Sequence, residues 1–408
     1  MAVQDGYGKT SGSESLVFAY DLKDTTNSYR GEPATNSQNA DISSMTQVGF
    51  DSWSCYDGSP PYHTWGTNQS KTFVTIPGPF GTSVNAMLYH NFNGGFYGPT
   101  DWGAVPNGTI TSGRTYTVQG WVKAADSESV GKTVTPYTYY SHSGGAYSAG
   151  TNYTLTDQWQ LVSHTHTAQY NASGGGIMYF FTQNSGEVKM HLTMTGVFLD
   201  KSHAVPWIIG GSTRSNAQGL LDLTNTGTIN LSTMSFNSNT KMIFDGTDDY
   251  INVTGLPNLT TDLTAEVVFR PTNTRGDWVR LIGTGGNSGN RTYGLWYNSP
   301  GNYLLYQRYG AGDPSIVIVQ PLTINQYYHF AATTSGNSHA LYLNGTVIGT
   351  STASGPWPAS GENVTIGYAG FHSTMIGDID VAKLYNRALT STEITNNYLK
   401  YKRQYGLT

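Results

Sequence analysis

Hydrophobic and polar residues alternate in a stretch near the C-terminal end of the chain, and this alternation predicts a β-strand. Between Ile376 and Leu384, one face carries Ile376, Asp378, Asp380, Ala382 and Leu384, and the other carries Gly377, Ile379, Val381 and Lys383. A second stretch, Met242–Val253, predicts a strand, a tight Asp-Gly and Asp-Asp turn, and another strand. We expect Ile243–Ile251 and Ile376–Leu384 to lie side by side as the first and last strands of one closed β-sandwich.

Short segments of the same character predict strands along the whole chain. They are Leu16–Tyr20, Thr115–Lys123, Trp159–Thr167, Gly176–Thr182, His191–Leu199, Leu263–Arg270, Val279–Gly283, Tyr293–Tyr297, Tyr303–Arg308, Ser315–Val319, Tyr327–Thr333, His339–Leu343, Thr346–Gly349 and Val364–Tyr368. The Asn-Gly pair at 344–345 predicts a hairpin turn, because both residues tolerate positive φ.

One helix is predicted at the end of the chain. Thr390 and Glu393 have the spacing of a capping box, and Gly406 is placed to end the helix. A helix of about three turns is too short to be stable alone. We therefore expect it to dock on the sandwich through Ile394, Tyr398 and Leu399.

Together these elements predict an all-β protein with two β-sandwich (jelly-roll) domains in tandem and a short C-terminal helix. Residues 204–215 contain Gly and Pro residues, which interrupt regular structure, and we interpret this segment as the connection between the domains. The first domain is then 15–203 and the second 216–408. Residues 1–14 carry few apolar side chains and are expected to form a flexible arm.

The composition favours a surface that is polar but weakly charged. Only 12% of the residues are charged, where about 25% is usual. The net charge is −5, and Lys400–Arg403 is the only basic run, so nucleic acid is not an expected partner. No apolar run approaches the length of a membrane-spanning helix, and we expect no membrane insertion.

The number of cysteines and the N-terminal residues indicate in which cellular compartment the protein folds and whether it is exported. Cys55 is the only cysteine, so an intrachain disulfide framework is excluded. The first residues lack the apolar core of a secretory signal. A protein made in a bacterial cytoplasm and released within a virus particle fits both observations, and so does one exported by a non-classical route.

The second domain resembles the laminin-G-like, concanavalin-A-like jelly rolls over residues 216–407. The resemblance is carried by an ordered set of segments: Gly219–Thr224, Ile243–Ile251, Leu263–Pro271, Tyr327–Thr333, Leu341–Thr346, Val364–Tyr368 and Gly377–Ile394. It implies a sandwich whose first and last strands are neighbours, and a calcium site that bridges them.

The first domain resembles the galactose-binding-like jelly rolls of carbohydrate-binding modules, through Tyr116–Lys123, Gln158–Ser163 and the aromatic loops. The opening segment Leu16–Asn36, together with this pair of domains, is similar to structural proteins of tailed bacteriophages. That resemblance implies a role in the virion as a decoration or fibre of the head, neck or tail. The implied partners are other virion proteins and further copies of the chain.

Aromatic side chains in the loops of the first domain are the candidate carbohydrate-binding residues. Sugar C–H faces stack on exposed rings, while carboxylates and amides bond the hydroxyls. The candidates are Trp53, Tyr56, Tyr62, Trp65, Phe96, Tyr97 and Trp102. The alternative is that these rings fill the core or a subunit contact, as aromatic residues commonly do.

Asp245, the Gly246 carbonyl and Asp380 are the candidate metal ligands, since Ca²⁺ prefers hard oxygen donors. Asp248 and Asp249 are alternatives for the same ion. The competing interpretation is that these aspartates end strands or face solvent.

Glycoside hydrolysis needs two carboxylates facing one cleft. On this fold, retaining glucanases carry three acidic residues at alternate positions of one strand. Here Ala382 stands at the third position after Asp378 and Asp380, and Glu266 is alone in its strand. We therefore expect no enzymatic activity.

The predicted function is a structural protein on the virion surface that binds host-surface glycans. The alternatives are a secreted or cell-surface carbohydrate-binding protein and, less favoured, a polysaccharide depolymerase.

Overall fold

The computed structural model describes residues 13–38, 54–57, 64–65, 69–92, 94–101, 109–140, 146–173, 176–208, 212–285, 291–298, 300–309, 315–355 and 357–408. The chain divides into two compact units. The first, here called the C-terminal sandwich, combines the segment that ends at Pro33 with Ser215–Asn237 and Lys241–Thr408. The second, here called the inserted unit, comprises Ala34–Arg214 and Ser238–Thr240.

Strands dominate both units. The chain begins with a 3-10 turn at Ser13–Ser15 and β1 at Leu16–Asp21. The inserted unit contains a 3-10 turn at Ser127–Ser129 and the strands β2 (Ala34–Thr35), β3 (Ser54–Asp57), β4 (Thr64–Trp65), β5 (Gln69–Pro77), β6 (Ser83–Asn91), β7 (Gly94–Asp101), β8 (Thr109–Ile110), β9 (Thr115–Ala124), β10 (Thr133–Tyr140), β11 (Ala146–Ala149), β12 (Tyr153–Thr154), β13 (Gln160–Thr167), β14 (Ala172–Ser173), β15 (Gly176–Ser185), β16 (Val188–Leu199) and β17 (Thr213–Arg214).

The rest of the C-terminal sandwich follows in the chain. Its elements are β18 (Thr228–Asn230), β19 (Ser235–Phe236), β20 (Met242–Asp245), β21 (Ile251–Thr254), β22 (Leu263–Pro271), β23 (Trp278–Thr284), β24 (Tyr293–Asn298), β25 (Tyr303–Arg308), β26 (Ser315–Val319), β27 (Tyr328–Ser335), β28 (Ser338–Leu343), β29 (Thr346–Thr352), β30 (Val364–Ile366), β31 (Ile376–Tyr385) and the helix α1 (Ser391–Tyr405).

Two sheets enclose the core of the C-terminal sandwich. One has the order β19-β20-β31-β22-β27-β28-β29, with β1 also paired to β31, and the other has the order β18-β21-β30-β23-β24-β25-β26. Alternate side chains of both sheets point inward and bury apolar surface, which is the main stabilising contribution to such a fold. The buried cluster includes Phe18, Phe244, Ile251, Val267, Leu295, Phe330 and Ile379. The all-β class predicted from the sequence is confirmed.

β31 lies inside its sheet between β20 and β22, and it has a further neighbour, β1, that was not predicted. β20 pairs with its beginning, where Phe244 lies opposite Gly377. β1 pairs with its second half, where Phe18 lies opposite Leu384. The Tyr20 hydroxyl donates to the Ile379 carbonyl at 2.9 Å. Leu16–Asp21 therefore belongs to the C-terminal sandwich, and the predicted first domain of 15–203 in tandem with the second is wrong.

The predicted pairing of Ile243–Ile251 with Ile376–Leu384 is correct only for its first part. β20 pairs with β31, but β21 lies in the opposite sheet, where Ile251 is the partner of Ile366. The Asp-rich turn thus connects the two sheets and does not close a hairpin. The carboxylate of Asp249 accepts the backbone N–H groups of Ser235 and Asp245, which fixes the chain as it crosses between the sheets.

The C-terminal helix has the predicted caps. The hydroxyl of Thr390 accepts the Glu393 N–H, the Glu393 carboxylate accepts the Thr390 N–H, and Gly406 has φ 69°. The predicted docking face is partly wrong. Ile394 is fully buried and Tyr398 is half-buried, but Leu399 is 48% exposed. The buried face of the helix consists of Ile394, Asn397, Lys400, Tyr401 and Tyr405.

The inserted unit has sheets of order β13-β9-β16-β6-β5 and β11-β10-β15-β7-β3-β4, with β12 paired to β10. Its core includes Tyr89, Val118, Val162, Phe180 and Leu192. Most of the predicted linker at 204–215 instead belongs to this unit, which extends to Arg214. β17 pairs with β2, and Val205 and Ile208 are buried against Phe198. Among the described residues, no helix is both long and apolar enough to span a membrane.

Candidate functional site

The predicted aromatic candidates lie only partly within the described part of the chain. Trp53, Tyr62 and Trp102 lie outside the described residues. The backbone places Tyr56 of β3 directly opposite Trp65 of β4, and Asp57 of β3 opposite Tyr97 of β7. Phe96 lies beside Tyr97 on β7, opposite Gln183 of β15. Four of the seven candidates therefore share neighbouring strands of one sheet, and their role in sugar binding stays a prediction.

The structure does not bring the predicted metal ligands together. Asp245 lies opposite Ile376, and Asp380 is four residues further along β31, about 13 Å away at the usual rise of a strand. The Gly246 carbonyl accepts an N–H of Arg275 at 2.9 Å and the hydroxyl of Thr374. A cation at that oxygen would have to displace a guanidinium, so Asp245, Gly246 and Asp380 do not form one calcium site.

Asp380 has a different role. Only 2% of it is exposed, and its carboxylate accepts the Tyr327 hydroxyl at 2.6 Å and faces the Lys241 ammonium at 3.6 Å. Burial raises the pKa of Asp380, and the ammonium of Lys241 opposes this shift. This carboxylate is part of the internal packing of the sandwich.

The alternative aspartates do form a cluster. Carboxylate oxygens of Asp245, Asp248 and Asp249 lie within 4.8 Å of one another in the turn between β20 and β21. Burial raises the pKa of Asp249 to about 6. Three convergent carboxylates are a donor set of the kind that Ca²⁺ takes, so this trio fits the ion better than the predicted set does.

The carboxylates that were considered for hydrolysis are held in internal contacts. Asp378 is 3% exposed and is bonded by Arg270 at 2.7 Å and by Lys241 at 2.8 Å. Glu266 is fully buried, with His329 Nε2 at 2.8 Å from one of its carboxylate oxygens. A sugar cannot reach these groups, and none of them can act as the acid or nucleophile of a glycosidase.

A cleft on the outer face of the second sheet was not predicted. It has a volume of about 310 Å³, and its walls include Tyr250, Asn252, Asn363, Thr365 and Tyr368. Ile251 and Val253 point into the core, so Asn252 between them points outward and lies opposite Thr365 of β30. The half-buried rings of Tyr250 and Tyr368 lie 6.2 Å apart at 53°.

This arrangement suits a small polar ligand with apolar faces. The two phenol rings offer apolar surface, and the side-chain amides of Asn252 and Asn363 offer donors and acceptors at the rim. The Thr365 hydroxyl already donates to the Tyr368 carbonyl at 2.8 Å. Glu362 is also in the cleft wall and is exposed. The alternation around Asn252 and Thr365 is visible in the sequence, but their adjacency depends on strand pairing across more than a hundred residues.

Comparisons with known proteins support the fold of the C-terminal sandwich. Residues 245–395 match the laminin G model of the concanavalin A-like lectin/glucanases superfamily. The resemblance inferred from the sequence is therefore confirmed for this part of the chain, which contains a concanavalin A-like jelly-roll domain. No curated protein sequence is significantly similar to the chain.

Similar solved structures include binding domains of bacterial toxins. The receptor-binding domain of botulinum neurotoxin type G is 14% identical, with a TM-score of 0.34, and the alignment covers 45% of this chain and 49% of that one. The serotype D ligand-binding domain in complex with N-acetylneuraminic acid is 10% identical, with a TM-score of 0.36 and coverages of 46% and 49%. The binding domain of Paraclostridial mosquitocidal protein 1 is 15% identical, with a TM-score of 0.34 and coverages of 45% and 49%. The chain spans about half the length of these structures.

Proposed function

We propose that this chain is a non-enzymatic structural protein on the surface of a tailed-phage particle, where it binds host-surface glycans. The observation that carries the binding function is the cleft of Tyr250 and Tyr368, which lies in a concanavalin A-like domain. Sugars pack their C–H faces on such rings, and the surrounding side-chain amides suit sugar hydroxyls. The predicted aromatic residues of the inserted unit are a second surface for the same class of ligand.

The non-enzymatic assignment is supported by the buried carboxylates. Asp378 is paired with Lys241 and Arg270, Glu266 is bonded to His329, and both carboxylates are buried away from any substrate. Incubation with host polysaccharide tests this point: a fall in viscosity or the release of oligosaccharides would contradict it.

The virion role is supported by the resemblance of Leu16–Asn36 and the two-domain organisation to phage structural proteins. In this role the chain is a homo-oligomer or is docked on other virion proteins, with no nucleic-acid or membrane partner. Many copies on one particle would make weak glycan sites effective through avidity. Quantitative mass spectrometry of purified particles tests the role by giving the copy number of the chain. Glycan binding without association with particles would favour the alternative, a secreted or cell-surface carbohydrate-binding protein.

Glycan-array screening followed by calorimetry with a bound glycan tests the cleft. Each aromatic contact contributes about 0.5–1.5 kcal/mol, so Tyr250→Ala and Tyr368→Ala should each weaken binding about 2- to 13-fold. Tyr303→Ala is the matched control, because Tyr303 is 37% exposed in the same sheet and stacks on Trp278, not on the cleft. Equal effects of all three variants would refute binding in the cleft.

A further inference from the structure

The last strand of the second sheet has a free edge. β26 (Ser315–Val319) pairs with β25, and among the described strands it has no second partner. Next to this strand, the Gln320 N–H donates to the Asn302 carbonyl at 2.6 Å. Because hydrogen-bonded and non-hydrogen-bonded pairs alternate along an antiparallel ladder, every second residue of β26 turns its N–H and C=O away from β25. The residues that do so are Ser315, Val317 and Val319.

The side chains along this edge are apolar and exposed. Val317 is 49% exposed and Val319 is 68% exposed. Tyr303 of β25 lies directly opposite Val319 and is 37% exposed. Monomeric proteins commonly protect an edge strand with lysine or proline, and β26 contains neither. An unprotected edge of this kind is suited to pairing with another strand.

The edge of the other sheet lies beside it. β29 (Thr346–Thr352) pairs with β28 and, among the described strands, with no other. A Cβ at Gly349 would stand 2.8 Å from Cγ2 of Ile316 and 2.8 Å from Cδ1 of Ile318, so the middle of β29 lies against the inner face of β26. One side of the C-terminal sandwich, here called the open flank, therefore presents the edges of both β26 and β29.

The two edge strands carry no charge. Between Ser315 and Gly361 the sequence contains no Asp, Glu, Lys or Arg, and both strands lie within this segment. Two copies of the open flank can therefore meet without placing like charges opposite each other, which would be costly. A charged partner strand would lose hydration here without gaining an ion pair. The absence of charge thus favours an identical flank as the partner.

The register of β26 also permits pairing with itself. In an antiparallel pair with a twofold axis at Val317, this residue lies opposite its own counterpart in the second copy. Ser315 of each copy then lies opposite Val319 of the other. These are the residues whose backbone groups point outward, so each pair can exchange two hydrogen bonds. A shift of one residue would place outward groups opposite groups that are already bonded to β25.

We infer that a second copy of this chain docks on the open flank, with the two β26 strands paired antiparallel about Val317 so that one continuous sheet joins the two sandwiches. The inference rests on the homo-oligomer of the proposed function and specifies its interface. The flank is about 20 Å long and about 20 Å wide, so two copies bury on the order of 1,000 Å². This area is at the lower end for a specific interface, and the dimer therefore forms reversibly, with a dissociation constant on the order of micromolar.

Analytical ultracentrifugation at increasing protein concentration tests for the dimer. The wild-type chain should pass from monomer to dimer across the micromolar range. Val317→Lys should weaken the association at least about tenfold, because two ammonium groups would face each other across the twofold axis. Lysine is common on edge strands, so this variant should fold. Val130→Lys is the matched control, since Val130 is 46% exposed in the inserted unit, and it should leave the association unchanged.

Disulfide cross-linking tests the register. Cys55 is the only cysteine, so a Cys55→Ser background is free of native thiols. In this background, oxidised Val317→Cys should form covalent dimers, because the Cα atoms of a hydrogen-bonded pair lie about 5.5 Å apart, within the range of a disulfide. Ser315→Cys alone and Val319→Cys alone should not cross-link, because identical residues would lie about 13 Å apart. A mixture of these two variants should form the cross-linked dimer.

The outcomes separate this inference from the proposed function. A wild-type chain that stays monomeric, or Val317→Cys that cross-links no faster than Val130→Cys, would overturn the inference. If Val317→Lys also removed such a monomeric chain from purified particles, the flank would take a strand of another virion protein in place of a second copy. A monomer that binds glycans and purifies with particles would leave the proposed function intact. A dimer through β26 that does neither would support the inference and overturn the proposed function.

Discussion

The buried carboxylate of Glu266 offers a direct test of how the C-terminal helix is held on the sandwich. Glu266 of β22 and His329 of β27 are both fully buried, with Oε1 and Nε2 2.8 Å apart. The other carboxylate oxygen accepts the Tyr385 hydroxyl and the side-chain amide of Asn397 of α1, both at 3.1 Å. The prediction concerns Glu266→Gln, which keeps the shape and removes the charge.

The size of the effect follows from the burial. Removing one partner of a buried pair costs about 3–5 kcal/mol, because the remaining groups lose their counter-charge and acceptor. A unit of this size loses about 2–4 °C in Tm per kcal/mol. We therefore expect Glu266→Gln to lower the Tm by about 6–20 °C. The Gln amide also presents a donor where the carboxylate accepted from its neighbours.

The pH dependence gives a second measure of the same interaction. Burial alone would raise the pKa of Glu266, but the hydrogen bond and charge of His329 and the charge of Lys383 outweigh it and hold the pKa below its ordinary value of 4.5. The folded state then binds fewer protons than the unfolded state as the pH falls below the ordinary value. The stabilisation is complete above about pH 4.5 and is lost as the pH falls through the lowered pKa.

Scanning calorimetry of the wild type and Glu266→Gln between neutral and acidic pH measures both effects. Glu187→Gln is the control, since Glu187 also contacts a histidine, His90, but is exposed, and its substitution should leave the Tm unchanged. A Glu266→Gln variant as stable as the wild type at neutral pH would refute the reasoning. A stability difference that does not shrink on acidification would do the same.

Two further predictions concern the helix cap and the acidic turn. Thr390→Ala should cost about 1 kcal/mol in urea unfolding by removing the acceptor of the Glu393 N–H, whereas the exposed Thr392→Ala should not destabilise the protein. We propose that the Asp245, Asp248 and Asp249 carboxylates bind Ca²⁺. Millimolar Ca²⁺ should then raise the Tm of chelator-treated protein, and Asp248→Asn should abolish the rise. Because Ca²⁺ needs ionised ligands and the pKa of Asp249 is about 6, its affinity should fall as the pH drops through that value. No calcium-dependent shift in Tm at pH 7 would contradict this site.

Local sequence patterns predicted the kinds of element correctly. Alternation identified the strand β31, and the Asn-Gly pair at 344–345 adopts positive φ in the turn between β28 and β29. The spacing of Thr390 and Glu393 identified the helix start. Each of these signals depends only on residues that are close together in the sequence. The element type can therefore be predicted from a single sequence.

The assignment of strands to sheets was less predictable. Nothing in the sequence of Leu16–Asp21 indicates that its partner is β31, more than 350 residues away. The predicted domain boundary was wrong because we assumed that segments adjacent in sequence belong to the same sandwich. β20 and β21 have the same alternating pattern, yet they lie in opposite sheets. Leu399 was misplaced for a local reason: it lies five residues after Ile394, about 140° around the helix from it. It therefore points to solvent, whereas Asn397 and Tyr401 are buried.

By itself, the sequence determined that this protein is built of strands with one capped helix and that its second half has a concanavalin A-like fold. Only the tertiary structure decided that the first strand completes the distant sandwich, that Asp378 and Asp380 are buried in ion pairs, and that the edges of β26 and β29 lie on one side of that sandwich. The physical reason is that backbone conformation responds to near neighbours in the chain. The partner of a strand and the environment of a charge are set by groups that only folding brings together.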